Sequence, residues 1–432
     1  MDRRLPVCVL SLVVSSCVIG KDAAITPASG TASDRQNQRG PHFASERRWG
    51  ARTDIRWEPV VAADRNSKWI YQMTTAQRPN YLLFRASSDS GRTWSAPRHI
   101  CRHGTPGIPF QFDPQLTVAS TGVVDAICLN GFSPGVVFTQ SLDHGQTWSA
   151  TVRLDGSLRY SDKPTLAVSP SGTDVYVAFN VRYALYVAAS HDGGTTWSPP
   201  IRATSAHLWY YSYGGTVARD GSVWFAVDGE DGRDQTGNGY VGLVTSSDGG
   251  TTWRAISFAV SHEGAPCYGH NCYPDFYTAQ DAVAVNREGA FVFVYAKNSR
   301  KQGPNALYVT RSNDGVRWSV PSVVNTLGNS TSPAIVAGED AGDFRLVWQD
   351  NRNGSKAWNT WFARTTDGGL SWSDPVRLSD RGSGAPYKRS AGYDFPFGDY
   401  LGLSVDSQGA DFVIWGEGEH VYYPGGTWWT HD

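Results

Sequence analysis

An eight-residue pattern, Ser/Thr-x-Asp-x-Gly-x-Thr/Ser-Trp, recurs along the 432-residue chain and limits its fold more than any other feature. Five full copies begin at Ser87, Ser141, Ser190, Ser246 and Thr365, and a shortened copy, SNDGVRW, begins at Ser312. Their aspartates lie at positions 89, 143, 192, 248, 314 and 367, at intervals of 49 to 66 residues. Self-similarity at such a period is typical of repeated units that close into one domain, so we predict a single large domain.

Each repeat contains four segments of strand length in which apolar residues alternate with polar ones. The clearest repeat places them at 163–169, 174–180, 183–190 and 197–204, with the eight-residue pattern in the third turn. Four antiparallel strands in this order form one blade of a β-propeller. The many Gly (46), Tyr (20) and Trp (17) residues suit short strands joined by tight turns, so we predict an all-β fold.

Seven segments have the pattern of the first, innermost strand of a blade. They lie at 58–64, 113–119, 163–169, 214–220, 280–286, 332–338 and 400–406. We therefore predict seven blades, with six as the alternative if one segment belongs to an insertion. The segment 46–55 is available as the fourth strand of blade 7, which closes the ring and removes exposed sheet edges. PGGTWW at 424–429 resembles a copy of the repeated pattern that has lost its Ser and Asp.

The repeated aspartate has a structural explanation. An Asp side chain in a turn accepts backbone N–H bonds, the Gly two residues later adopts a positive φ, and the Trp packs against the blade. The six turns are expected on the face opposite the starts of the innermost strands. We predict that these aspartates brace turns and have no catalytic role.

The N-terminal residues predict export. Residues 1–17 combine a basic start with an apolar run too short to span a bilayer, and the residues before Cys17 resemble a lipoprotein signal. We expect Cys17 to be acylated and the protein to reach the cell envelope, with membrane contact only through that lipid. An ordinary signal peptide and a secreted protein are the alternative. Residues 18–45 form a predicted flexible tether and residues 46–432 the propeller, which we expect to be a monomer.

Charge and cysteine content narrow the possible partners. The net charge of −2 and the lack of a Lys/Arg run exclude a nucleic-acid footprint. In an exported protein we expect two disulfides, Cys267–Cys272 within one loop and Cys101–Cys128 as the remaining pair. A metal site at CYGHNC is the alternative, although the four-residue gap favours a bridge. The acidic segment 228–238 lacks the EF-hand order, so we predict no metal and no cofactor.

The six repeated turns resemble the Asp boxes of the sialidase, or BNR-repeat, propeller superfamily. Such boxes also occur in xyloglucanases, sorting receptors and photosystem assembly factors, so the resemblance indicates fold more than activity. For a sialidase it implies an arginine triad, a tyrosine nucleophile with a glutamate partner, and an acid/base aspartate. Arg56 in IRWEPVV resembles the first triad arginine, and Tyr400 in FGDYLGLSVD resembles the nucleophile. The acid/base aspartate and the glutamate have no counterpart in AQRPNYLLFRASSDSG and YSYGGTV.

The loops that surround the starts of the innermost strands are rich in Tyr, Trp, Arg and Asp, which suits a sugar site. The candidate catalytic residues are Tyr400, Asp399 and Glu230. The candidate substrate-binding residues are Arg56, Arg300, Arg352, Arg389, Asp113, Trp209 and Tyr211. The alternative is that the aromatic residues fill the channel. In that case Asp113, Asp162, Asp281 and Asp399 anchor neighbouring blades.

These features predict an exported sialidase-like glycoside hydrolase that acts on extracellular glycans, with sialic or other acidic sugars as candidate substrates. A non-catalytic propeller that binds glycan or protein is the alternative, because two expected catalytic residues have no counterpart. A polysaccharide lyase is the third interpretation, in which Tyr400 with an Arg or His moves a proton beside a uronate carboxylate.

Overall fold

The computed structural model describes residues 41–76, 80–101, 110–131, 135–231, 237–264, 280–354, 357–380, 388–389, 392–393, 401–418 and 425–432. Within these ranges every regular element is a β-strand. The strands form seven four-stranded antiparallel sheets and one two-stranded ribbon. The prediction of an all-β propeller with seven blades is thereby confirmed. No helix in the described ranges has the length and apolarity to cross a membrane.

The strands are numbered in chain order, and the strands of each blade are given from the innermost outwards. Blades 1 to 3 are β2–β5 (Arg56–Ala63, Ile70–Ala76, Tyr81–Ser87, Arg98–His99), β6–β9 (Gln111–Val118, Val124–Asn130, Gly135–Ser141, Val152–Arg153) and β10–β13 (Ser161–Val168, Val175–Val181, Ala184–Ser190, Ile201–Arg202). Blades 4 to 6 are β14–β17 (Trp209–Val217, Val223–Glu230, Gly239–Ser246, Arg254–Ser261), β18–β21 (Asp281–Val285, Phe291–Lys297, Ala306–Ser312, Ser322–Asn325) and β22–β25 (Thr331–Ala337, Phe344–Asp350, Asn359–Thr365, Val376–Arg377). Blade 7 is β28–β30 (Leu401–Val405, Asp411–Gly418, Gly425–His431) with β1 (Arg47–Trp49), and the ribbon is β26–β27 (Lys388–Arg389, Gly392–Tyr393).

Blade 7 closes the ring with strands from both ends of the propeller. β1 pairs antiparallel with β30, so that Arg48 lies opposite Trp428, which confirms the predicted fourth strand from segment 46–55. The interpretation of PGGTWW as a degenerate copy of the repeated turn pattern was wrong, because Gly425–His431 is the third strand of this blade. Trp428 pairs with Trp415 across the sheet, and both indoles are buried. Strand pairing and indole burial therefore decide the conformation of this segment.

The repeated aspartates brace their turns as predicted. Asp192 accepts hydrogen bonds from Ser190 Oγ (2.8 Å), the Thr196 amide (2.8 Å) and Thr196 Oγ1 (2.6 Å). These bonds, with the Thr196 side chain first, lower the pKa of Asp192 to about 2. Trp197 packs edge-on against Phe138 of the preceding blade at 5.0 Å between ring centroids. Each of the six turns follows a third strand, and therefore lies at the end of the propeller where the innermost strands finish.

A disulfide links Cys101, after β5, to Cys128 on β7, so it joins blades 1 and 2 and confirms one predicted pair. Cys267 and Cys272 lie outside the described residues. The spaces between blades are filled with large side chains, among them the fully buried Tyr71, Tyr176 and Phe179. This packing fixes each blade against its neighbours, so the starts of the innermost strands form a rigid frame around the channel entrance.

Candidate functional site

Five innermost strands begin with a β-bulge at the channel entrance. The register shifts after the first one or two paired residues of β2, β6, β10 and β22, and after the first four of β14. In four of these bulges the residue before a proline has a positive φ: Glu58 (49°), Asp113 (50°), Lys163 (48°) and Ser332 (51°). Proline cannot donate to the ladder and is tolerated at a bulge, and a bulge redirects the side chains beside it. The sequence thus sets unusual side-chain directions at the entrance of the channel.

The bulges of blades 1 to 3 are joined by a polar network. Glu58 Oε2 accepts hydrogen bonds from Thr75 Oγ1 and from the Asp113 amide, both at 2.9 Å. Lys163 Nζ lies 3.3 Å from Asp113 Oδ1. Burial and the neighbouring Asp113 carboxylate raise the pKa of Asp162 to about 7. Asp113 therefore ties three blades together, as the anchoring interpretation expected, and its predicted role in substrate binding stays a prediction.

A second polar cluster lies where blades 4 and 5 meet. It consists of Tyr211 and Tyr213 on β14, Asp228 and Glu230 on β15, and Asp281 at the start of β18. Tyr211 and Asp228 are direct cross-strand partners, and Glu230 follows on the same side of its strand because side chains alternate with a period of two. The rings of Tyr211 and Tyr213 are 6.4 Å apart. We call this group the tyrosine–carboxyl cluster.

Two groups of the tyrosine–carboxyl cluster are buried without hydrogen bonds. Within the described part of the chain, neither the Tyr213 hydroxyl nor the Asp281 carboxyl has a hydrogen-bond partner. Burial, followed by the nearby Asp228 carboxylate, raises the pKa of Tyr213 well above its ordinary value. Burial likewise raises the pKa of Asp281 well above its ordinary value, and the Gly242 amide opposes this without making a hydrogen bond of normal geometry. Burial therefore favours the protonated form of both groups.

Burying polar groups without partners costs free energy, so such groups persist mainly where function requires them. The Tyr213 hydroxyl is unpaired although carboxyl groups from two blades lie close enough to shift its pKa. Tyrosines and carboxyls whose proton affinities are perturbed together are the usual components of acid/base and nucleophilic sites. No group of three or more His, Cys, Asp or Glu among the described residues could hold a metal ion. The cluster is our candidate for the reacting groups.

Two of the predicted substrate-binding arginines are already paired with carboxylates of this chain. Arg56 Nη2 lies 2.8 Å from Asp54, and its guanidinium lies over the Trp49 ring at 5.2 Å from the centroid. Arg352 Nη2 lies 2.6 Å from the buried Asp350. Each arginine is thus neutralised by a carboxylate two residues earlier in the chain.

The remaining predicted residues divide into three groups. Glu230, Trp209 and Tyr211 are brought together in blade 4, as part of the tyrosine–carboxyl cluster or beside it. Arg300 lies exposed in the loop after β19. Asp399, Tyr400 and the side chain of Arg389 lie outside the described part of the chain, so their roles stay predictions.

Sequence reasoning missed Tyr213 and Asp228, and it considered Asp281 only as an anchor. Alternation could have revealed the first two, because YSY and DGE each place two polar or aromatic groups two residues apart in a strand. The closeness of Asp281 depends on how blade 5 packs on blade 4, which no local pattern specifies.

No protein-family model matches the chain, and no curated protein matches it. Among solved structures, an ulvan lyase of polysaccharide lyase family 25, bound to -[GlcA(1-4)Rha3S]-, is 12% identical, with 89% of this chain and 95% of the lyase covered and a TM-score of 0.54. A Hadza microbial sialidase is 20% identical over 87% of this chain (TM-score 0.45), and the match spans 65% of that sialidase. The NanB sialidase from Streptococcus pneumoniae is 11% identical, with 93% of this chain and 72% of NanB covered (TM-score 0.48). The lyase likeness shows a shared fold, and the seven blades, six of them with Asp-box turns, confirm the predicted resemblance to sialidase-like propellers.

Proposed function

We propose that this sialidase-like propeller is an exported glycoside hydrolase that cleaves an extracellular glycan at the tyrosine–carboxyl cluster. The observation that carries the proposal is the unpaired, buried Tyr213 hydroxyl beside carboxyl groups from two blades. A phenol whose proton a neighbouring carboxylate can accept is an activated nucleophile without a permanent negative charge. Tyrosine is a known exception to the two-carboxylate scheme of glycoside hydrolysis.

The proposed reaction uses three groups of the cluster. Glu230 accepts the Tyr213 proton as the phenolic oxygen attacks the anomeric carbon, and the bond to the leaving sugar breaks. Asp281, whose pKa is raised by burial, gives its proton to the leaving oxygen. Water then attacks the anomeric carbon, returns a proton to Asp281, and releases Tyr213, which regains its proton from Glu230. Two displacements at one carbon retain the anomeric configuration.

The charges of the site favour an uncharged sugar ring at the point of cleavage. The groups that act on Tyr213 are acidic or neutral, and carboxylates stabilise the positive charge that develops on the sugar in the transition state. A terminal sialic acid would bring its own carboxylate and would require free cations. Arg56, Arg352 and Lys163 already pair with carboxylates. We therefore place an uncharged ring against the cluster and treat sialic acid release as the competing outcome.

Burial also determines how the substrate enters. The Tyr213 side chain is half-buried, while its hydroxyl oxygen is fully buried. The hydroxyl is therefore shielded from water in this structure, and a sugar reaches it only if the groups that cover it are displaced. Exclusion of water strengthens the electrostatic interactions among the reacting groups.

Elimination by a polysaccharide lyase is the second candidate, because the ulvan lyase shares the fold over 89% of this chain. A neutral Tyr213 has the proton that a lyase gives to the leaving oxygen. Elimination also requires a cation to neutralise the uronate carboxylate, and none of the groups that raise the pKa of Tyr213 is a cation. This electrostatic difference makes hydrolysis the better supported reaction.

The test is product analysis by the purified full-length protein on sialosides, neutral β-glucans and uronate-containing polysaccharides. Hydrolysis generates new reducing ends without near-ultraviolet absorbance, whereas elimination generates an unsaturated, absorbing product. We expect the first result, with a loss of at least about a hundredfold in turnover for Glu230→Gln.

The matched control is Glu288→Gln, the same change at an exposed carboxylate at the other end of the propeller, which should not alter turnover. An absorbing product would favour the lyase. Folded protein with affinity for glycan and no turnover of any member would favour a binding propeller.

A further inference from the structure

The exposed aromatic side chains of the described residues are concentrated at the channel entrance of blades 2 and 3. Phe110 is 60% exposed, Tyr160 58% and Tyr183 42%. Phe110 and Tyr160 directly precede innermost strands, and Tyr183 lies in the turn between the second and third strands of blade 3. The exposed large side chains in the Asp-box turns, such as Leu142 and Leu370, are aliphatic. Aromatic exposure is thus a property of the entrance and not of the turns at the other end.

These rings continue towards the tyrosine–carboxyl cluster. Tyr183 contacts the ring of Trp209 edge-on, with centroids 5.7 Å apart. Trp209 is the first residue of β14, the strand that carries Tyr211 and Tyr213. Ser161 pairs with Val181, which places the preceding Tyr160 beside the turn that holds Tyr183. We define Phe110, Tyr160, Tyr183 and Trp209 as the aromatic rim. It extends over three consecutive blades and ends at the candidate site.

At one residue of the aromatic rim and at one residue beside it, the backbone is held in an unfavourable conformation. Tyr160 has a φ of 63° and Arg182 a φ of 55°, in the left-handed region that bulky residues seldom adopt. Such strain costs about 1 to 3 kcal/mol and tends to persist where function requires it. Neither side chain recovers this cost by burial, since both are exposed. The strain therefore favours a binding role for the side chains that these positions present.

Unpaired cations accompany the rings. Arg159 precedes Tyr160, Arg182 precedes Tyr183, and both guanidinium groups are exposed. Neither arginine makes an ion pair or hydrogen bond to another described residue, in contrast to Arg56 and Arg352. Guanidinium groups bind carboxylates and sulfates in a bidentate manner, and aromatic faces pack on the apolar faces of sugar rings. The pairing of free cations with exposed rings indicates a glycan that carries negative charges.

We propose that the aromatic rim binds consecutive sugar rings of an acidic polysaccharide, with its carboxylate or sulfate groups at Arg159 and Arg182. This inference rests on the proposed function and names its substrate class: a polymer that runs over blades 2 to 4 and presents an uncharged ring to the tyrosine–carboxyl cluster. A short terminal glycan cannot contact the whole rim, so affinity rises with chain length. The negative charges of the polymer, which the tyrosine–carboxyl cluster would repel, are bound at Arg159 and Arg182, away from the cluster.

The test is affinity gel electrophoresis of the full-length Tyr213→Phe variant, so that binding is measured without turnover. The probes are hyaluronan, polygalacturonate and ulvan, each beside its carboxyl-reduced form, with desulfated ulvan to separate carboxylate from sulfate recognition. We expect retardation by at least one acidic polymer. Tyr183→Ala should weaken that retardation about tenfold or more. Arg182→Gln should weaken it only for acidic forms and leave the carboxyl-reduced forms of hyaluronan and polygalacturonate, which are uncharged, unchanged.

Leu370→Ala is the control, because it removes an exposed apolar side chain from an Asp-box turn and should not alter retardation. Absence of retardation by every polymer would overturn the proposal, as would Tyr183→Ala and Arg182→Gln variants that bind like the parent. Binding that depends on Tyr183 and Arg182, in a wild-type protein that turns over none of the substrates, would support the aromatic rim and contradict the hydrolase. The two proposals therefore fail in distinguishable ways.

Discussion

Removal of the Tyr213 hydroxyl should stabilise the protein while it abolishes turnover. The oxygen is buried and has no hydrogen-bond partner in the described part of the chain, so folding removes it from water without compensation. An unsatisfied buried polar group costs about 1 to 3 kcal/mol, and Tyr213→Phe removes that group while it keeps the ring. We expect a gain of about 1 kcal/mol in the free energy of unfolding, after allowance for the small void that the oxygen leaves.

The assay is urea unfolding with Tyr71→Phe as the matched control. The buried Tyr71 shares a hydrogen bond of 2.8 Å with His144 Nδ1, so loss of its hydroxyl breaks a contact and should cost about 1 kcal/mol. The two identical substitutions should therefore move the urea midpoint in opposite directions at an unchanged m-value. A Tyr213→Phe midpoint that falls as far as that of Tyr71→Phe would refute the reasoning, because the hydroxyl would then have a structural partner.

Three further predictions concern the fold. Burial raises the pKa of Asp125 to about 7, so between about pH 4 and pH 7 the folded state holds a proton that the unfolded state has released. The free energy of unfolding should therefore fall as the pH rises through this range, by at most about 1.4 kcal/mol per pH unit. Asp125→Asn should flatten this slope in urea unfolding at pH 5, 6 and 8. Ser190→Ala removes the acceptor of the buried Gly194 amide (2.9 Å) and should cost about 1 to 3 kcal/mol by calorimetry without a change in turnover; an unchanged melting temperature would contradict the role of the turn. Gly145→Ala places a Cβ 2.2 Å from Phe84 Cε1 at a φ of 80°, so it should cost more than 2 kcal/mol, and a neutral effect on the urea midpoint would contradict this packing.

The fold could be predicted from the sequence because each blade repeats the same local information. The Asp boxes fix the third turn of six blades, and the period between them fixes the length of a blade. Ring closure was also predictable, since a blade without a fourth strand leaves an open edge that segment 46–55 can cover. PGGTWW could not be assigned by local pattern. Its glycines suit a turn, but its pairing with the long-range partners Asp411–Gly418 and Arg47–Trp49 makes it a strand.

The site was predictable only in part. Glu230, Trp209 and Tyr211 were selected by composition, because aromatic and acidic residues gather near the channel entrance of blade 4, and their roles stay predictions. Tyr213 was missed because its position depends on the bulge between Ser212 and Gly214, which arises from cross-strand pairing and not from a local motif.

The pairing of two predicted arginines could have been anticipated. Arg56 follows Asp54 and Arg352 follows Asp350, in each case by two residues, and side chains two apart on an extended chain lie on the same side. Such a spacing predicts an internal ion pair before it predicts a ligand site. Arg159 and Arg182 have no such carboxylate two residues before them, which distinguishes the unpaired cations of the aromatic rim.

The most direct test of the proposed reaction compares Tyr213→Phe with Tyr400→Phe in turnover of the best glycan substrate. The two variants lose the same atom from the two tyrosines that compete for the role of nucleophile. We expect Tyr213→Phe to lower kcat/KM by a factor on the order of a thousand, with Tyr400→Phe close to wild type. Wild-type turnover by a folded Tyr213→Phe variant, with the loss in Tyr400→Phe instead, would contradict the assignment and move the reaction to the start of β28.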